Sequence, residues 1–466
     1  MKTLAIVGAG FCGAVAAIEF IKACRVPAKL IIIDQTGTFG PGLAYGDQNQ
    51  SHVLNVPAGN MSALRDHPDS FVEYCLSNNI ETHPGDFVLR QEYGRYLSTL
   101  LDSAIASCGG TLEVERVHAE AILLKECVGG ATVILRDQRC LNVEHVLLAC
   151  GNFPPSTPKP LASFKDHSAY QDAPWSSSCL DRRAVRPSDS VLLIGSGLTA
   201  LDMIARLTDG GHTGKVTALS RRGLHPQVHR GHSHYTAKHA QATRDIVCNA
   251  EATALAYMKT VRRLIDESLD TDWRDIVAAL RPCTPELWRR LPLAEKHRFL
   301  RHVRPYWDNH RHRAAPEANE FFERSRQSGR LSVVKGRLLA VDALDDKLVC
   351  EISRTSDRTI TKSTFDVVIN CTGPNTSVAS TQSTLVQQLL KDGIIVPDLL
   401  GLGIVLGEDL SVVSSKGKAV SWLSYVGPML KSMFWEATAV PELRQHVSTH
   451  AARLAQRFND DSGKVG

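Results

Sequence analysis

The sequence predicts an α/β protein with two Rossmann-like, three-layer dinucleotide-binding domains, one inserted into the other. Two observations support this fold class. A strand, a glycine-rich turn, a helix and a second strand follow one another from residue 4, and the same order returns from residue 190. Each copy later ends on an apolar strand that runs into a small-residue turn, at Gly151 and at Gly373. This alternation is typical of a parallel sheet covered by helices on both faces.

The first copy carries the pattern G-x-G-x-x-G between two apolar strands. LAIVGAGFCG supplies the three glycines, and KLIIIDQ ends on Asp34. The glycines allow a tight turn, close approach of the backbone to a pyrophosphate and close packing of helix on strand, while the acid accepts hydrogen bonds from a ribose. This site therefore fits FAD or NAD, with phosphates at the helix N-terminus. The predicted contacts are Gly8, Gly10, Phe11, Cys12, Gly13, Asp34 and Gln35.

The second copy, SVLLIGSGLTALDMIARL, has G-x-G-x-x-A in the same place. The strand KVTALSRR that follows ends on Ser220, Arg221 and Arg222 and carries no acid. An acid would repel a 2′-phosphate, whereas arginine binds phosphate through a bidentate fork, so this copy is predicted to bind NADP. The alternative for the two arginines is a solvated strand end. The predicted contacts are Gly195, Gly197, Leu198, Thr199, Ala200, Ser220, Arg221 and Arg222.

Length and composition limit the remaining possibilities. The 466 residues carry a formal net charge of +4, which is too little for a dedicated nucleic-acid-binding protein. None of the 12 cysteines forms a C-x-x-C pair, which favours reduced thiols in a cytoplasmic protein. No stretch approaches the ~20 apolar residues of a membrane span. The N-terminus resembles a secretory signal, but its glycine motif and Glu19 favour a folded strand and helix.

The same signals predict the domain organisation. The FAD-binding domain is expected over residues 1–180 and 366–466, and the NAD(P)-binding domain over 185–365. Residues 238–325 show helical periodicity and many Arg, His and Trp residues. We interpret them as a helical insertion, either a lid whose charge attracts a small anion or a solvated basic helix face.

The stretch SRRGLHPQVHRGHSH contains histidines that could suggest a metal. A zinc site normally needs three or four ligands, and no matching cluster of cysteines or carboxylates is present, so no metal is predicted. His229 is instead a candidate contact for substrate or nicotinamide. His232 and His234 are predicted to be surface residues.

Several longer blocks narrow the family. GPGLAYGDQNQSHVLNVPAGNMSAL, FVLRQEYGRYL, SRRGLHPQ, INCTGPN and GPMLKSMFWEATAVPELR occur in this order. With the paired glycine motifs, the chain resembles the FAD/NAD(P)-binding two-dinucleotide flavoproteins that include a FAD-dependent urate hydroxylase and an aspartate N-monooxygenase. The resemblance implies FAD in one domain and NADPH in the other. It places Val117 at the adenine, and Gly427 with Pro428 at the start of the last helix. It places the following residues at FAD or at the border of the active site: Asn55, Met61, Ser62, Arg90, Tyr93, Val117, Gly151 and Gly427.

The resemblance also implies an activity. We expect a monooxygenase that uses FAD, NAD(P)H and O₂, acts through a flavin C4a-hydroperoxide, and hydroxylates a small anionic nitrogen compound, with urate as the first candidate. The alternatives are an amine or amino-acid N-hydroxylase and a non-oxygenating NADPH–flavin redox partner. Asn55, Tyr93 and His229 are the catalytic candidates, and no general acid or base is assigned. Nucleic acid and membrane are not expected as partners, and the sequence leaves the oligomeric state open.

Overall fold

The computed structural model describes residues 1–46, 49, 51–175, 185–230, 236–268 and 271–462. Contacts divide the chain into two compact units. The first unit comprises Met1–Gln48, Val56–Phe153 and Thr376–Gly466. The second unit comprises Asn49–Asn55 and Pro154–Asn375. Within the described residues, no helix has both the length and the apolar character needed to cross a membrane.

The strands contain many β-branched and aliphatic residues, which suit a pleated, buried surface. In chain order they are β1 Lys2–Val7, β2 Ala28–Asp34, β3 Leu112–His118, β4 Ala121–Cys127, β5 Gly130–Leu135, β6 Cys140–Val143, β7 His145–Leu148, β8 Tyr170–Gln171, β9 Val191–Ile194, β10 Val216–Ser220, β11 Leu331–Leu344, β12 Lys347–Arg354, β13 Ile360–Phe365, β14 Val367–Asn370, β15 Ser411–Val413 and β16 Ala419–Tyr425.

Helices join most of the parallel strands. They are α1 Phe11–Ala23, α2 Gly42–Tyr45, α3 Ser70–Ser77, α4 Arg90–Ala106, α5 Leu198–Asp209, α6 Ala237–Cys248, α7 Ala254–Glu267, α8 Trp273–Ala279, α9 Thr284–Arg290, α10 Leu293–Arg298, α11 Arg304–Arg311, α12 Pro316–Gln327, α13 Thr384–Lys391, α14 Lys431–Phe434 and α15 Val440–Ser462. Short 3₁₀ turns span Ala58–Asn60, Lys159–Phe164, Arg281–Cys283, Val378–Ser380 and Pro428–Leu430, and Phe299–Val303 forms a π-helical turn.

The first unit contains a six-stranded sheet in the order β15-β16-β7-β1-β2-β3. All neighbours are parallel except β15 and β16, so the antiparallel pair lies at one edge. A separate antiparallel sheet contains β4, β5 and β6. The strand order reverses between β1 and β7, which makes their carboxyl ends the topological switch point where ligands bind in such sheets.

The second unit repeats this plan in one seven-stranded sheet, β13-β12-β11-β10-β9-β14-β8. Strand β11 is long enough to pair in parallel with β10 and then antiparallel with β12, so the two sheets of the first unit are here continuous. Its switch point lies between β9 and β14. Alternate residues of β9 are buried on opposite faces, Val191 in one apolar cluster and Leu192 in the other, as expected of a central strand covered on both sides.

The boundaries between the two units lie at other positions in the sequence than the predicted domain boundaries near 180 and 366. Residues 154–175 belong to the second unit because β8 pairs with β14. Residues 366–375 also belong there, because β14 is a central strand of its sheet. Segment Asn49–Asn55, which the sequence assigned to the FAD-binding domain, belongs to the second unit as well. The imidazole of His52 bonds the Asp202 carbonyl at 3.1 Å, which fixes that segment.

Helices α6 to α12 occupy the region predicted to be a helical insertion. This region has a small core of its own around Val247, Leu280 and Leu287. Thr236, Thr253 and Asp272 cap α6, α7 and α8 through their side-chain oxygens, which satisfies backbone donors that would otherwise lack partners. Local capping and a separate apolar core therefore both favour helices here.

Two buried histidines connect distant parts of the first unit. The Nε2 atoms of His145, at the start of β7, and His450, in α15, each lie 2.8 Å from the hydroxyl of Ser424 in β16. Burial lowers the pKa of His145 to about 3 and that of His450 to about 4. Both rings are therefore neutral at pH 7 and remain neutral in mildly acidic solution while the unit is folded.

We predict that this pair makes the first unit acid-sensitive. An unfolded histidine takes up a proton near pH 6.5, whereas these folded rings do so only near pH 3 to 4, so stability falls as pH decreases from about 6.5 towards 4. Each ring contributes up to about 1.4 kcal/mol per pH unit in that window. Thermal unfolding midpoints between pH 7.5 and 4.5 measure this slope. His450→Gln should flatten it and the exposed His83→Asn should not; an equal slope in wild type and H450Q would show that the pair is not responsible.

Candidate functional site

The first glycine turn is held by close backbone contacts at the switch point. Gly8 has φ +100°, and a Cβ there would lie 2.4 Å from the carbonyl oxygen of Ala149, just after β7. A Cβ on Gly13 would lie 1.8 Å from the carbonyl oxygen of Gly8. Both positions therefore require glycine, and the turn brings the N-terminus of α1 to the edge of the sheet, where its free N–H groups suit a pyrophosphate.

A second glycine-rich segment, GPGLAYG, packs over this turn. A Cβ on Gly42 would lie 2.8 Å from the Cα of Gly10, and the N–H of Gly40 donates to the Ala9 carbonyl at 2.7 Å. A Cβ on Gly94 of α4 would lie 2.4 Å from the carbonyl oxygen of Tyr45. Gly42 and Gly94 were not predicted as site residues. In the sequence, only the block that begins GPGLAYG pointed to Gly42. Its contact with Gly10 joins residues 32 positions apart, which no local pattern shows.

Asp34 closes the other side of the turn. Its Oδ2 accepts from the Ala9 N–H at 2.9 Å, and its Oδ1 accepts from the Thr36 N–H and hydroxyl at 2.8 and 2.6 Å. Each carboxylate oxygen has two acceptor positions, so Oδ2 retains one for a ribose hydroxyl. The residue therefore fits the role predicted for it and also fixes the turn in place.

An open cavity of about 560 Å³ adjoins the end of β2. Gln35, Thr36, His118 and Arg136 are among the residues that line it. Val117, which precedes His118, is buried and pairs with Ile33 of β2 through the backbone. This is the place where an adenosine would lie if Asp34 held its ribose, so the position fits the adenine contact implied for Val117.

Tyr93 lies in an aromatic cluster beside the glycine turn. Its ring is fully buried, and its centroid is 4.6 Å from that of Tyr45, 5.0 Å from that of Phe71 and 6.5 Å from that of Phe11. Within the described residues its hydroxyl has no hydrogen-bond partner. Burial raises its pKa well above the ordinary value. Tyr93 is therefore a protonated hydrogen-bond donor and not a general base, and its orphan hydroxyl fits a polar group supplied by a ligand.

The other predicted FAD contacts differ in what their side chains already do. Met61 is buried, and the Ser62 hydroxyl donates to the carbonyls of Leu64 and His67 within its own loop. Arg90 begins α4, and its positive charge lowers the pKa of the Tyr45 phenol against the larger effect of burial.

Cys12 and Cys150 are both held as neutral thiols. Burial raises the pKa of each to about 12. The thiolate is the form that attacks disulfides and reacts with oxidants, so neither sulfur is reactive at pH 7. Gly151 follows with φ +69° and has no atom within 4 Å of a built Cβ, which leaves open space at the predicted FAD contact.

One prediction about the C-terminal segment is wrong. Gly427 and Pro428 were expected to begin the last helix, but a 3₁₀ turn and the four-residue α14 follow them, and α15 starts at Val440. Trp435 ends α14 with φ +59°, which an α-helix does not accept. Gly427 itself has φ +141°, and a Cβ there would lie 2.5 Å from the Tyr425 hydroxyl. Its glycine is required for this turn.

The second glycine turn reproduces the first with one difference. Gly195 has φ +121°, and its Cβ would lie 2.3 Å from the carbonyl oxygen of Cys371, just after β14. Gly197 precedes α5 and has no atom within 4 Å of a built Cβ. Ala200 replaces the third glycine and is fully buried in α5, so this helix leaves room for one methyl group. Leu198 and Thr199 form the first turn of α5, where a pyrophosphate would meet free N–H groups.

The two predicted arginines follow β10 and have different surroundings. Arg221 is exposed and makes no hydrogen bond or ion pair with any described residue. Arg222 instead donates to the Arg301 carbonyl at 3.0 Å and lies over the Tyr306 ring. Ser220 accepts from the Ser196 hydroxyl at 2.7 Å, which fixes the strand end against the glycine turn. Ser196 was not among the predicted contacts.

Two of the three catalytic candidates lie together in the second unit. The Nε2 of His229 donates to the Asn55 carbonyl at 3.1 Å. Burial, followed by the charges of Arg313, Arg311 and Arg274, lowers the pKa of His229 to about 4. The ring is therefore neutral at pH 7, with its proton on Nε2. His232 and His234 lie outside the described residues. Within the described residues, no group of three or more potential metal ligands occurs.

Comparison with known proteins confirms the predicted fold class and family resemblance. Residues 5–153 match the family model for FAD-NAD(P)-binding proteins, which confirms the predicted cofactors as a class. The nitrosuccinic acid synthase npaA of Aspergillus oryzae is 26% identical over 191 residues, which are 36% of this chain and 29% of that protein. The match thus spans less than a third of that relative's length.

Solved structures share the whole architecture. The ornithine hydroxylase PvdA of Pseudomonas aeruginosa is similar with a TM-score of 0.66 and 15% identity, over 98% of this chain and 99% of that one. A thioredoxin reductase of Lactococcus lactis is similar with a TM-score of 0.53 and 11% identity, over 99% and 100% of the two chains. These likenesses show the fold, which hosts more than one chemistry.

The two glycines of the second turn should respond differently to alanine. Gly195→Ala should lower the thermal unfolding midpoint, because its methyl group meets the Cys371 carbonyl. Gly197→Ala should leave the midpoint unchanged and raise the dissociation constant for NADPH, because its methyl group enters the space a pyrophosphate would occupy. Differential scanning fluorimetry and NADPH titration of the FAD-loaded protein measure both effects. Equal loss of stability in the two variants would contradict this assignment.

The two arginines should also differ. Arg221→Ala should weaken NADPH binding about tenfold or more, the value of one charge-assisted contact, and leave NADH binding nearly unchanged. Arg222→Ala should have a smaller effect, because its guanidinium already bonds the Arg301 carbonyl. Parallel titrations with NADPH and NADH measure this. If Arg221→Ala weakened both nucleotides equally, Arg221 would not bind a 2′-phosphate.

Proposed function

We propose that this chain is an FAD-dependent, NADPH-consuming monooxygenase that hydroxylates the nitrogen of a small amine or amino acid. One observation carries the proposal. The two glycine turns are equivalent, but the strand that follows each turn leads to a side chain of opposite charge. Asp34 ends β2 of one turn, and Arg221, which forms no ion pair with any described residue, follows β10 of the other. One turn accepts a nucleotide with free ribose hydroxyls, and the other favours a nucleotide with a 2′-phosphate.

The cofactors supply the redox chemistry: when bound, FAD takes a hydride from NADPH and activates O₂. The overall reaction consumes the amine, O₂, NADPH and one proton and yields the hydroxylamine, water and NADP⁺. The chain's residues bind and orient the nucleotides. The N-termini of α1 and α5 would hold the pyrophosphates through their free N–H groups and positive helix-dipole ends.

The buried phenols and thiols around the first turn remain protonated. Tyr93 and Tyr425 have pKa values raised well above their ordinary range by burial, and those of Cys12 and Cys150 are about 12 for the same reason. These groups therefore do not exchange protons with a substrate at pH 7.

The comparisons favour nitrogen over the purine ring of urate. The relative from Aspergillus oryzae is named for nitrosuccinic acid, a dicarboxylic acid that carries a nitro group, and the Pseudomonas aeruginosa structure is an ornithine hydroxylase. Urate hydroxylation, our first expectation, has no comparable support. We therefore propose the amine or amino-acid alternative in its place.

Disulfide reduction is a rival because a thioredoxin reductase shares the fold. That chemistry needs a cysteine pair that exchanges through a thiolate. Cys12 and Cys150 both flank the first switch point, but their raised pKa values leave almost no thiolate at pH 7. The properties of these cysteines thus argue against this rival.

A substrate screen tests the proposal. NADPH oxidation, O₂ consumption and hydrogen peroxide release are followed together with amines, amino acids and urate. We expect at least one amine or amino acid to accelerate NADPH oxidation, to suppress peroxide and to yield a product heavier by one oxygen atom. Peroxide equal to NADPH consumed with every compound would support the non-oxygenating redox partner instead. Coupling with urate alone would restore carbon hydroxylation.

A further inference from the structure

A cluster of charged residues surrounds His229 in the second unit. We define the arginine cluster as Arg230, Arg274, Arg311 and Arg313. Backbone hydrogen bonds place it: the His229 N–H donates to the Ala314 carbonyl at 3.0 Å, and the Ala314 N–H donates to the Gln227 carbonyl at 2.8 Å. The segment after β10 therefore runs beside the segment after α11. This pairing brings His229 and Arg313 together although 84 positions separate them in sequence.

Asp272 and Asp275 already have cationic partners. Asp272 caps α8 by accepting from the Arg274 N–H at 2.7 Å and lies 3.2 Å from the Arg274 guanidinium and 3.3 Å from that of Arg230. Asp275 pairs with Arg230. Arg274 also donates to the Val228 carbonyl at 2.9 Å. Arg230 and Arg274 are thus fixed by these carboxylates and by the backbone.

Among the described residues, no carboxylate forms an ion pair of this kind with Arg313. Its Nε is buried and makes no hydrogen bond within the described part of the chain. Burial, then Arg311 and Arg274, lower its pKa to about 10, against the weaker opposite effects of Asp272 and Asp275. A buried guanidinium donor without an acceptor is costly. The position therefore favours an additional anion.

The same positive charges lower the pKa of His229. The charges of Arg313, Arg311 and Arg274 each disfavour its protonation, and Arg313 has the largest effect of the three. Its ring is also held by the Asn55 carbonyl, so it borders the cluster in a fixed orientation. Because its N–H is already donated to Asn55, the neutral ring borders the cluster without neutralising it, and the anion would be bound by the partly buried guanidiniums.

We propose that Arg313 and the arginine cluster around it bind a carboxylate of the substrate, so that the substrate is an amine that also carries a carboxylate. This inference rests on the proposed function. A planar carboxylate matches the fork of a guanidinium, which can donate two parallel hydrogen bonds. The nucleotide phosphates already have places at the α5 turn and at Arg221. Phosphate is therefore the competing source of the anion, and the test separates the two.

Calorimetric titration of the FAD-loaded protein, without NADPH, tests the site directly. Succinate serves as the carboxylate probe and inorganic phosphate as the competing anion. We expect succinate to bind wild type, Arg313→Met to weaken that binding at least tenfold, and Arg313→Lys to restore part of it. The exposed Arg324→Ala, on α12, should bind succinate like wild type. Arg313→Met should keep the thermal unfolding midpoint, because the native Nε has no hydrogen-bond acceptor among the described residues.

A kinetic arm uses a substrate identified in the screen. Arg313→Met should raise the KM for the amino acid at least tenfold and leave unchanged the KM for the amine that lacks its carboxylate. Tighter Arg313-dependent binding of phosphate than of succinate would overturn the proposal in favour of a nucleotide phosphate. Unchanged succinate binding in Arg313→Met would also overturn it.

The two arms separate this inference from the proposed function. If succinate binding depends on Arg313 but no compound couples NADPH oxidation to its own oxygenation, the carboxylate site is supported and the monooxygenase function is rejected. Coupled hydroxylation that does not depend on Arg313 would leave the monooxygenase standing and remove the site.

Discussion

Both nucleotide turns depend on one close approach of backbone to backbone. The loops after β1 and β9 each touch the carbonyl just beyond the strand across the switch point: Gly8 meets Ala149, and Gly195 meets Cys371. A side chain would separate these strand ends by more than the sheet permits, because ladder spacing is fixed by hydrogen bonds. The approach also determines where α1 and α5 begin, and hence where phosphate charge is stabilised.

Around this constraint the two copies have diverged in what covers the turn. In the first unit Gly13 allows α1 to touch the carbonyl of Gly8, and Gly42 packs directly on Gly10. In the second unit the buried Ala200 takes the place of the third glycine, and a Cβ on Gly197 would have no atom within 4 Å. The first turn is thus enclosed by its own protein, and the second is more open. That contrast agrees with one nucleotide that stays bound and another that exchanges, which the proposed reaction requires.

Charge is distributed just as unevenly. Thiols and phenols close to the first turn are buried and kept neutral. In the second unit burial acts on guanidiniums, which keep their charge and lower the pKa of His229 and of Arg313. A protein tolerates such a field when a ligand supplies the missing negative charge, and stability sacrificed at a site for function is common.

The sequence by itself determined the local features: the two strand–turn–helix units, Asp34 against Ser220 and Arg221 at equivalent strand ends, and the helical insertion. These follow from periodicity and from glycine, whose conformational freedom leaves a mark at short range. The tertiary structure alone decided which distant groups meet. The contacts of Gly42 with Gly10 and of His229 with Asn55, the different partners of Arg221 and Arg222, and the break before α15 depend on side chains and turns far apart along the chain. Contact, burial and electrostatic field are properties of the packed molecule, and no pattern of neighbouring residues encodes them.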